Sequence, residues 1–314
     1  MLVGIIGLGG IAQKAYLPIL TSMEGTDLAL CSRFEQTVVR HQKQYRISAG
    51  VTSLPDLIQL GIQAAFVLSP SSTHEPIARE LLEHGIDVFL EKPATLRSED
   101  TRSLAELAER RKRVLMVGFN RRYAPLHVAA RKLWQDAPIG LALFQKHRPS
   151  PFHPDLERHF TDDTIHQIDM LRFFCGEGEV VSTVQSTSPG LLLGAATTVA
   201  LERGGYGMVM TYLQAGRWQE TYSLHGAGRS MIVEAFARLH MINPQEEVVQ
   251  EVPYASAWLT TLEARGFNRE IQLFLECVTQ RSEPPTSGWD ALKTQLLLEK
   301  MVASLSHSKV EESH

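Results

Sequence analysis

A glycine-rich turn near the amino terminus constrains this chain more than any other feature. The apolar residues 2–6 predict a buried strand, and the run GLGGIA at residues 7–12 follows it with the pattern G-x-G-x-x-A. Gly7 allows a tight turn, Gly9 lets the backbone approach a pyrophosphate, and Ala12 lets the next helix pack closely on the sheet. The phosphates are expected at the start of a helix near Gly10, where unpaired N–H groups favour anions. An ordinary strand-to-helix turn is the alternative, but the position between strand and helix favours a dinucleotide site.

The order of predicted elements divides the chain into two halves. Strands are predicted at 28–31, 64–68, 88–90 and 114–117, with helices at 11–23, 75–84 and 98–110. This alternation is typical of a parallel sheet covered on both faces, whose ligands bind at the carboxyl ends of the strands. After about residue 120, strands at 139–146, 179–185, 195–201, 207–212 and 220–224 predict an antiparallel sheet, with helices at 164–174, 268–279 and 289–305. The chain is predicted to be a nucleotide-binding half followed by an α+β half.

Composition excludes several classes of protein. The chain has 314 residues, 44% of them hydrophobic, and a net charge of −4 without a sustained basic run, so nucleic-acid binding is not expected. Cys31, Cys175 and Cys277 are far apart and predict neither a disulfide framework nor a zinc site. No apolar run approaches the length of a membrane span and no basic segment precedes the first strand, so a cytoplasmic location is expected.

The residues after the second strand bear on the choice of nicotinamide cofactor. An NAD-preferring site places an acidic residue there to bind the ribose 2′-OH, but this position is Ser32, followed by Arg33. Asp27 lies before the strand and Glu35 belongs to the next helix. Because arginine is a permanent bidentate phosphate donor, the pair favours NADP(H) over NAD(H). A solvated loop arginine is the alternative.

Two further segments carry residues suited to proton transfer. Lys92 follows the strand at 88–90 and precedes Pro93, so its ammonium is placed to reach a substrate oxygen; a surface lysine is the alternative. His166 lies four residues after Asp162 and three before Asp169, and these side chains share a face if the helix begins early enough. A carboxylate beside an imidazole suits a general acid/base. Asp162 or the adjacent Asp163 is equally suited to cap the helix.

Four motifs, in this order, resemble the Gfo/Idh/MocA oxidoreductases, and especially their MviM-like subgroup. They are GLGGIA, EKP at residues 91–93, GFNRRY at 118–123 and D-x-x-x-H-x-x-D at 162–169. The longer stretches GLGGIAQKAYLP, MVGFNRRYAPL, KHRPSP and DDTIHQIDML strengthen the resemblance, which covers almost the whole chain.

The resemblance implies an α/β fold with two domains. A Rossmann domain is expected at 1–118, and a substrate-binding and oligomerisation domain with a large, mainly antiparallel open sheet at 119–314, with the carboxyl-terminal helices packing back on the first domain. Hydride would pass between NADP (alternatively NAD) and a carbinol or carbonyl carbon of a sugar, polyol, sugar acid or related molecule. A homodimer or higher homo-oligomer is expected.

The resemblance also implies roles for individual residues. Lys92 would polarise the substrate oxygen, His166 would be the general acid/base with Asp162 orienting it, and Asp169 would support the helix or the histidine. The expected cofactor contacts are Gly7, Gly9, Gly10, Ile11, Ala12, Ser32, Arg33, Ser69, Pro70, His74, Glu91 and Lys92. The expected substrate contacts are Asn120, Arg121, His147, Arg148 and Asp163, and no metal is expected.

Two departures from the family pattern affect these expectations. The glycine-rich approach to the aspartate is replaced by the sequence ERHFT at 157–161, which alters the wall of the substrate site, and Ser71 replaces the usual asparagine. The stretch 146–153 is rich in cations and predicts either a site for an acidic or phosphorylated substrate or a solvated loop. The competing functions are a non-catalytic NAD(P) sensor and a lyase or glycosidase that uses a tightly held nicotinamide.

Overall fold

The structure, a computed structural model, describes residues 1–151, 153–251 and 260–305 and the backbone of 310–311. The chain forms two compact units. The first unit consists of Met1–Phe119 and Phe267–Lys293, and the second of Asn120–Gly266 and Thr294–His314. In the described ranges, no helix is both long and apolar enough to span a membrane.

Strands and helices are numbered in chain order. The strands are β1 (Leu2–Ile6), β2 (Asp27–Cys31), β3 (Ala49–Val51), β4 (Ala64–Val67), β5 (Asp87–Glu91), β6 (Leu115–Gly118), β7 (Leu141–His147), β8 (Gly178–Ser188), β9 (Leu191–Leu201), β10 (Tyr206–Tyr212), β11 (Gln219–Gly226), β12 (Arg229–Glu234), β13 (Arg238–Ile242), β14 (Glu247–Glu251) and β15 (Val310–Glu311). The helices are α1 (Leu17–Leu20), α2 (Glu35–Tyr45), α3 (Leu54–Gln59), α4 (His74–Glu83), α5 (Ser98–Arg111), α6 (Pro125–Trp134), α7 (Leu156–His159), α8 (Ile165–Cys175), α9 (Thr261–Ala264), α10 (Phe267–Gln280) and α11 (Gly288–Ala303). Two π-helical turns, Ala12–Tyr16 and Phe160–Thr164, precede α1 and α8.

A parallel sheet of six strands forms the centre of the first unit. Its strand order is β3-β2-β1-β4-β5-β6, with every neighbouring pair parallel. All residues of β4 and β5 are buried, as expected for strands covered on both faces. This is the order and direction of a Rossmann sheet, and the predicted fold of the first half is confirmed.

An aromatic cluster shows how the late helix α10 belongs to the first unit. Phe66 of β4 and Phe89 of β5 pack with ring centroids 4.9 Å apart, and Phe274 of α10 lies 5.1 Å from Phe66. Tyr16 joins the cluster at 5.6 Å from Phe89. These fully buried rings supply much of the apolar burial that holds this unit together.

A mixed sheet forms the second unit, and in the described residues it has nine strands. Its order is β14-β13-β12-β11-β7-β10-β9-β8-β15; β7 pairs with β10 in parallel, as β8 does with β15, and the other pairs are antiparallel. Burial alternates along β7, where Ala142, Phe144 and Lys146 are buried and their neighbours are half-exposed or exposed. Helix α8 covers the buried face: a Cβ on Gly207 of β10 would lie only 2.7 Å from the Leu171 side chain. The mainly antiparallel open sheet expected for the second half is thereby confirmed.

Candidate active site

The turn after β1 has the shape that its glycines predict. Gly7 has φ +89°, and a Cβ there would lie 2.5 Å from the backbone nitrogen of Ser69 in the loop after β4. Its amide donates to the Cys31 carbonyl at the end of β2, over 3.1 Å. Ala12 is fully buried beneath the following helical turns. Only glycine fits position 7, because both its conformation and its surroundings exclude a side chain.

The next two glycines face open space. A Cβ on Gly9 or Gly10 would meet no atom within 4 Å, so internal packing does not require glycine at either position. The Gln13 amide donates to the Gly9 carbonyl over 3.1 Å, which starts the helical hydrogen bonding, and the side chain of Ile11 is 37% exposed. The first amides of a helix have no partner within it. An open surface above such amides fits the pyrophosphate of a dinucleotide.

The residues that bear on the choice between NADP(H) and NAD(H) lie at the end of β2. Ser32 follows the strand directly, and Arg33 is exposed with its guanidinium carbon 4.8 Å from the centre of the Phe34 ring. Asp27 begins the strand and Glu35 lies in the first turn of α2. No acidic residue therefore occupies the position that holds the ribose 2′-OH in NAD-preferring sheets.

His74 ties together the loops after β4 and β5. Its ring is 1% exposed; Nε2 lies 2.9 Å from the Ser69 carbonyl, and Nδ1 lies 2.9 Å from the Pro93 carbonyl. Thr73 donates its hydroxyl to the Pro70 carbonyl and lies 2.7 Å from the Ser69 hydroxyl. The sequence prediction makes His74 a cofactor contact, but because both ring nitrogens face the protein backbone, its structural role is to position Ser69 and Pro93.

Glu91 fixes the backbone at Lys92. The buried carboxylate accepts a hydrogen bond of 2.7 Å from the Tyr16 hydroxyl and one of 2.8 Å from the Lys92 amide. The Lys92-Pro93 peptide bond is cis. Burial and the neighbouring Glu91 raise the pKa of Tyr16, so its hydroxyl keeps its proton and remains a donor. Glu91 is therefore committed to holding the loop that presents Lys92, and the prediction that it contacts the cofactor gains no support.

In the second unit, helical turns run without a break from α7 through the π turn Phe160–Thr164 into α8. The cap is Asp155, whose carboxylate accepts a hydrogen bond of 2.8 Å from the Arg158 amide. The alternative in which Asp162 or Asp163 caps the helix is therefore wrong. The helical turns begin before the apolar pattern of α8. An early start of this kind is the condition under which Asp162, His166 and Asp169 can share one face of the helix.

Asp163 is paired with two cations, the buried Lys146 and the half-buried Arg148. It lies 2.7 Å from the Lys146 ammonium and accepts a hydrogen bond of 2.9 Å from Nε of Arg148, whose Nη2 binds the other oxygen. Burial alone would raise the pKa of Asp163, but the two cations hold it well below its usual range. Burial and the nearby Arg121 lower the pKa of Lys146 to about 8. The expectation that Asp163 binds substrate is corrected: its oxygens are occupied by residues of its own unit.

The histidines around this helix differ in their surroundings. His153 Nε2 lies 3.1 Å from an Asp162 oxygen. His159 is buried beside the Thr211 hydroxyl, 3.2 Å away, and burial lowers the pKa of His159 to about 4. His166 is 8% exposed in the first turn of α8. The orientation of His166 by Asp162 stays a prediction.

Residues 120–123 of the GFNRRY motif belong to the second unit and are held there by internal partners. Arg121 forms a bidentate pair with the buried Glu220, with distances of 2.5 and 2.9 Å, and the Tyr222 hydroxyl donates to the same carboxylate. Burial would raise the pKa of Glu220, but Arg121 lowers it to about 2. Asn120 donates its side-chain amide to the Arg265 carbonyl over 2.8 Å. The predicted substrate contacts Asn120 and Arg121 are thus committed to internal partners.

The second arginine of that segment has a similar role. Arg122 forms a bidentate pair with Asp169, with distances of 2.8 and 2.5 Å, and Asp169 also accepts from the Thr294 hydroxyl over 3.0 Å. Asp169 therefore supports α8, as the resemblance implies. Sequence reasoning missed Glu220 and Thr294, because each lies about a hundred residues or more from its partner and belongs to no motif.

The side chains of His147 and Arg148 have different partners. Lys146 and Arg148 both reach Asp163, whereas His147 lies between them on β7 and its Nε2 is 3.5 Å from the Gln145 side chain. Successive side chains of a strand point to opposite faces. The side chains of His147 and Arg148 therefore point to opposite faces, and their predicted contacts with substrate stay predictions. In the described part of the chain, no group of three or more His, Cys, Asp or Glu side chains is arranged to hold a metal ion.

Comparison with known proteins decides the family. Residues 1–119 match the Gfo/Idh/MocA model described as an oxidoreductase family with an NAD-binding Rossmann fold, and residues 159–311 match the C-terminal alpha/beta domain of the same family. The chain belongs to the Gfo/Idh/MocA oxidoreductase family. It is therefore an NAD(P)-dependent dehydrogenase that acts on CH–OH groups, as the sequence motifs predict.

Individual relatives agree with this assignment. YceM of Salmonella typhimurium is 32% identical over 312 residues, which is 95% of this chain and 96% of YceM. The inositol 2-dehydrogenase of Rhizobium meliloti is 26% identical over 269 residues, 79% of this chain and 80% of that protein. The crystal structure of the dehydrogenase MviM from Clostridium difficile superposes with a TM-score of 0.88 at 26% identity, covering 97% of this chain and 99% of MviM.

Proposed function

We propose that the protein transfers hydride between NADP(H) and a carbinol or carbonyl carbon of a polyol, sugar or sugar acid. The observation that carries the proposal is the fixed backbone at Lys92: Glu91 holds its amide over 2.8 Å at the carboxyl end of β5, where Rossmann sheets bind the reacting end of their ligands. The inositol 2-dehydrogenase relative supports a polyol-like substrate. Anionic substrates, acidic or phosphorylated, are included in the proposed range.

Each proposed catalytic residue has one task. The bound nicotinamide supplies or accepts the hydride. Lys92 donates a hydrogen bond to the substrate oxygen, which stabilises negative charge as it develops there. His166 takes up or returns the hydroxyl proton as general acid/base, and Asp162 fixes its tautomer. Asp169, Arg122 and Thr294 hold the helix that carries His166.

The proposed preference for NADP(H) rests on the loop after β2. Arg33 is exposed, stacks on Phe34 at 4.8 Å and follows a serine instead of an acidic residue. A guanidinium there is suited to bind a 2′-phosphate through charge-assisted hydrogen bonds. The turn at Gly9 and Gly10 and the backbone of Ser69 and Pro70 complete the proposed cofactor contacts.

Variants at the two catalytic positions test the proposal. Lys92→Ala and His166→Ala are each expected to lower turnover by about 10²- to 10⁴-fold, the range for general acid–base groups, with NADPH affinity nearly unchanged. Turnover is measured as NADPH oxidation against ketoses, inosose, sugar acids and phosphorylated carbonyls, and cofactor affinity by NADPH fluorescence. The matched controls are Lys43→Ala, at an exposed position of α2, and His84→Ala, at the exposed residue that follows α4.

The same measurements separate the competing functions. Full turnover in both catalytic variants would refute the assigned roles. NADPH binding with no reaction in the screen, together with a protein partner that binds only one redox form, would support a sensor instead. Substrate consumption without net change in NADPH absorbance would support a lyase or glycosidase.

A further inference from the structure

The backbone around Arg265, in the second unit, is fixed by close packing and by a hydrogen bond. Gly266 has φ +86°, and a Cβ there would lie 2.3 Å from the Asn120 carbonyl and 2.6 Å from the Ala124 nitrogen. The Arg265 carbonyl accepts the Asn120 side-chain amide over 2.8 Å. The backbone that carries Arg265 is therefore docked closely on the GFNRRY segment and places the guanidinium in a defined position.

Aromatic rings hold the Arg265 guanidinium. Its central carbon lies 4.9 Å from the centre of the Phe236 ring and 5.7 Å from that of Trp218. The same Phe236 ring also lies 5.7 Å from the guanidinium carbon of Arg121. Stacking on ring faces orients a guanidinium while leaving its N–H groups available in the ring plane.

Phe236 is itself held in place. It lies in the turn between β12 and β13, next to Ala235, whose carbonyl is 2.7 Å from Nε2 of the buried His127. The His127 ring lies 5.3 Å from Phe236, and its Nδ1 is 2.8 Å from the Arg121 carbonyl. A platform anchored in this way indicates a preorganised site.

Arg121 and Arg265 differ in their counter-ions. Arg121 is neutralised by Glu220. Across the described ranges, no Asp or Glu carboxylate forms an ion pair with Arg265, which is half-buried. Burial and the charge of Arg121 lower the pKa of Arg265, as expected for a cation without an anion beside it.

The charges around Arg265 leave an excess of cations. Among the described residues, the carboxylates whose charge acts on Arg121, Lys146, Arg148 and Arg265 are those of Asp163 and Glu220. Four cations against two anions leave two positive charges in a partly desolvated cluster. Such charge is costly unless an anion is bound.

We propose that Arg265, held on Phe236 and Trp218, binds an oxyanion group of the substrate, either a carboxylate or a phosphate. This inference rests on the proposed function and narrows it, since it predicts that an anionic polyol binds better than the neutral polyol of the same carbon skeleton. A planar guanidinium matches both oxyanions through paired N–H donors.

Three probes with one carbon skeleton test the inference: D-glucitol, D-gluconate and D-glucitol 6-phosphate. Their affinities for the full-length protein saturated with NADP⁺ are measured by isothermal titration calorimetry. We expect at least one anionic probe to bind about tenfold or more tightly than D-glucitol, a difference of about 1.4 kcal/mol. The tighter of the two anionic probes identifies the group, and added salt should weaken the preference.

Variants assign the preference to Arg265. Arg265→Gln should reduce the preference for the anion to less than about twofold, and Arg265→Lys, which keeps the charge but loses the planar fork, should retain part of it. Arg203→Gln, at an exposed arginine of the second unit, is the matched control and should keep the full preference. Circular dichroism and the melting temperature check that each variant is folded.

The outcomes distinguish this inference from the proposed function. Equal affinity for all three probes, no binding of either anion, or an unchanged preference in Arg265→Gln would overturn the role of Arg265. Lys92-dependent turnover of neutral polyols would leave the proposed function standing in that event. An Arg265-dependent preference for anions without any hydride transfer would instead support this inference and contradict the proposed function.

Discussion

The loops of the first unit and the helix-and-strand region around α8 carry candidate functional residues in different ways. At Gly7 and Gly9, the functional property is the shape of the backbone and the space above it. Around α8, the charged side chains of Arg121, Asp163 and Asp169 each form an ion pair with another side chain of the second unit. A site made of backbone can be recognised from a short motif, whereas a site made of ion pairs depends on residues that are distant in the sequence.

The largest effect expected from this difference is on stability. Arg121→Ala leaves Glu220 buried without its cation, so the free energy of unfolding should fall by about 3–5 kcal/mol. Arg33→Ala removes an exposed cation of the first unit and should change it by less than about 0.5 kcal/mol. Urea unfolding of the two variants measures both values. Similar losses of unfolding free energy in Arg121→Ala and Arg33→Ala would show that the buried ion pair contributes no more to stability than an exposed arginine does.

Acidic pH should reduce the stability of the protein mainly through the second unit. Because the pKa of Glu220 is about 2 in the folded protein and about 4.3 in unfolded chains, the unfolded state binds more protons between these values. This contribution, on the order of 3 kcal/mol, is complete above about pH 5 and is lost as the pH falls toward 2. Urea unfolding at several pH values should show a shallower acid loss for Glu220→Gln than for wild type. Glu202→Gln, an exposed control, should keep the steep loss.

The two glycines of the first unit should separate stability from binding. Gly7→Ala places a Cβ against Ser69 at positive φ and should cost about 2 kcal/mol or more of unfolding free energy. Gly9→Ala should leave stability within about 0.5 kcal/mol of wild type but weaken NADPH about tenfold or more, because its methyl group fills the space proposed for the pyrophosphate. Unfolding curves and NADPH titrations of both variants are compared. Unchanged NADPH affinity in Gly9→Ala would remove this glycine from the binding site.

The smallest effect concerns the choice of cofactor. Arg33→Ala should weaken NADPH by about tenfold or more, since a charge-assisted hydrogen bond contributes about 1.5–3 kcal/mol, and should leave NADH affinity unchanged. Fluorescence titration with both cofactors measures the ratio. Equal affinity of the wild-type protein for the two cofactors, or tighter NADH, would contradict the NADP(H) preference.

Much of the fold follows from local pattern. The buried strand β4 is an uninterrupted apolar run, β5 has an apolar centre between two acidic residues, and α8 has a continuous apolar face, so each is predicted within a few residues. The sequence places Glu35 in a helix, but the bounds of α2 are not predicted, because only Val38 and His41 of its residues are buried. The hairpins β12–β14 also escape, since polar and apolar residues mix on a half-exposed sheet.

The candidate site shows the same limit. The motifs locate the turn at Gly7 and the loop at Lys92 in the sequence, because the features that define each motif lie within a few residues. The partner of Arg121 lies 99 residues away on β11, and that of Gly7 is a backbone atom in another loop. Such partners depend on tertiary packing, which single-sequence periodicity does not contain.

The Arg121–Glu220 pair also has an evolutionary consequence. Loss of one partner alone leaves an unpaired charge in the interior and destabilises the fold. Replacement of both partners together by residues that fill the same space changes stability little. Descendants of this sequence should therefore change positions 121 and 220 jointly, or keep both. The rates of substitution at these two sites should be coupled, because each side chain neutralises the other inside the second unit.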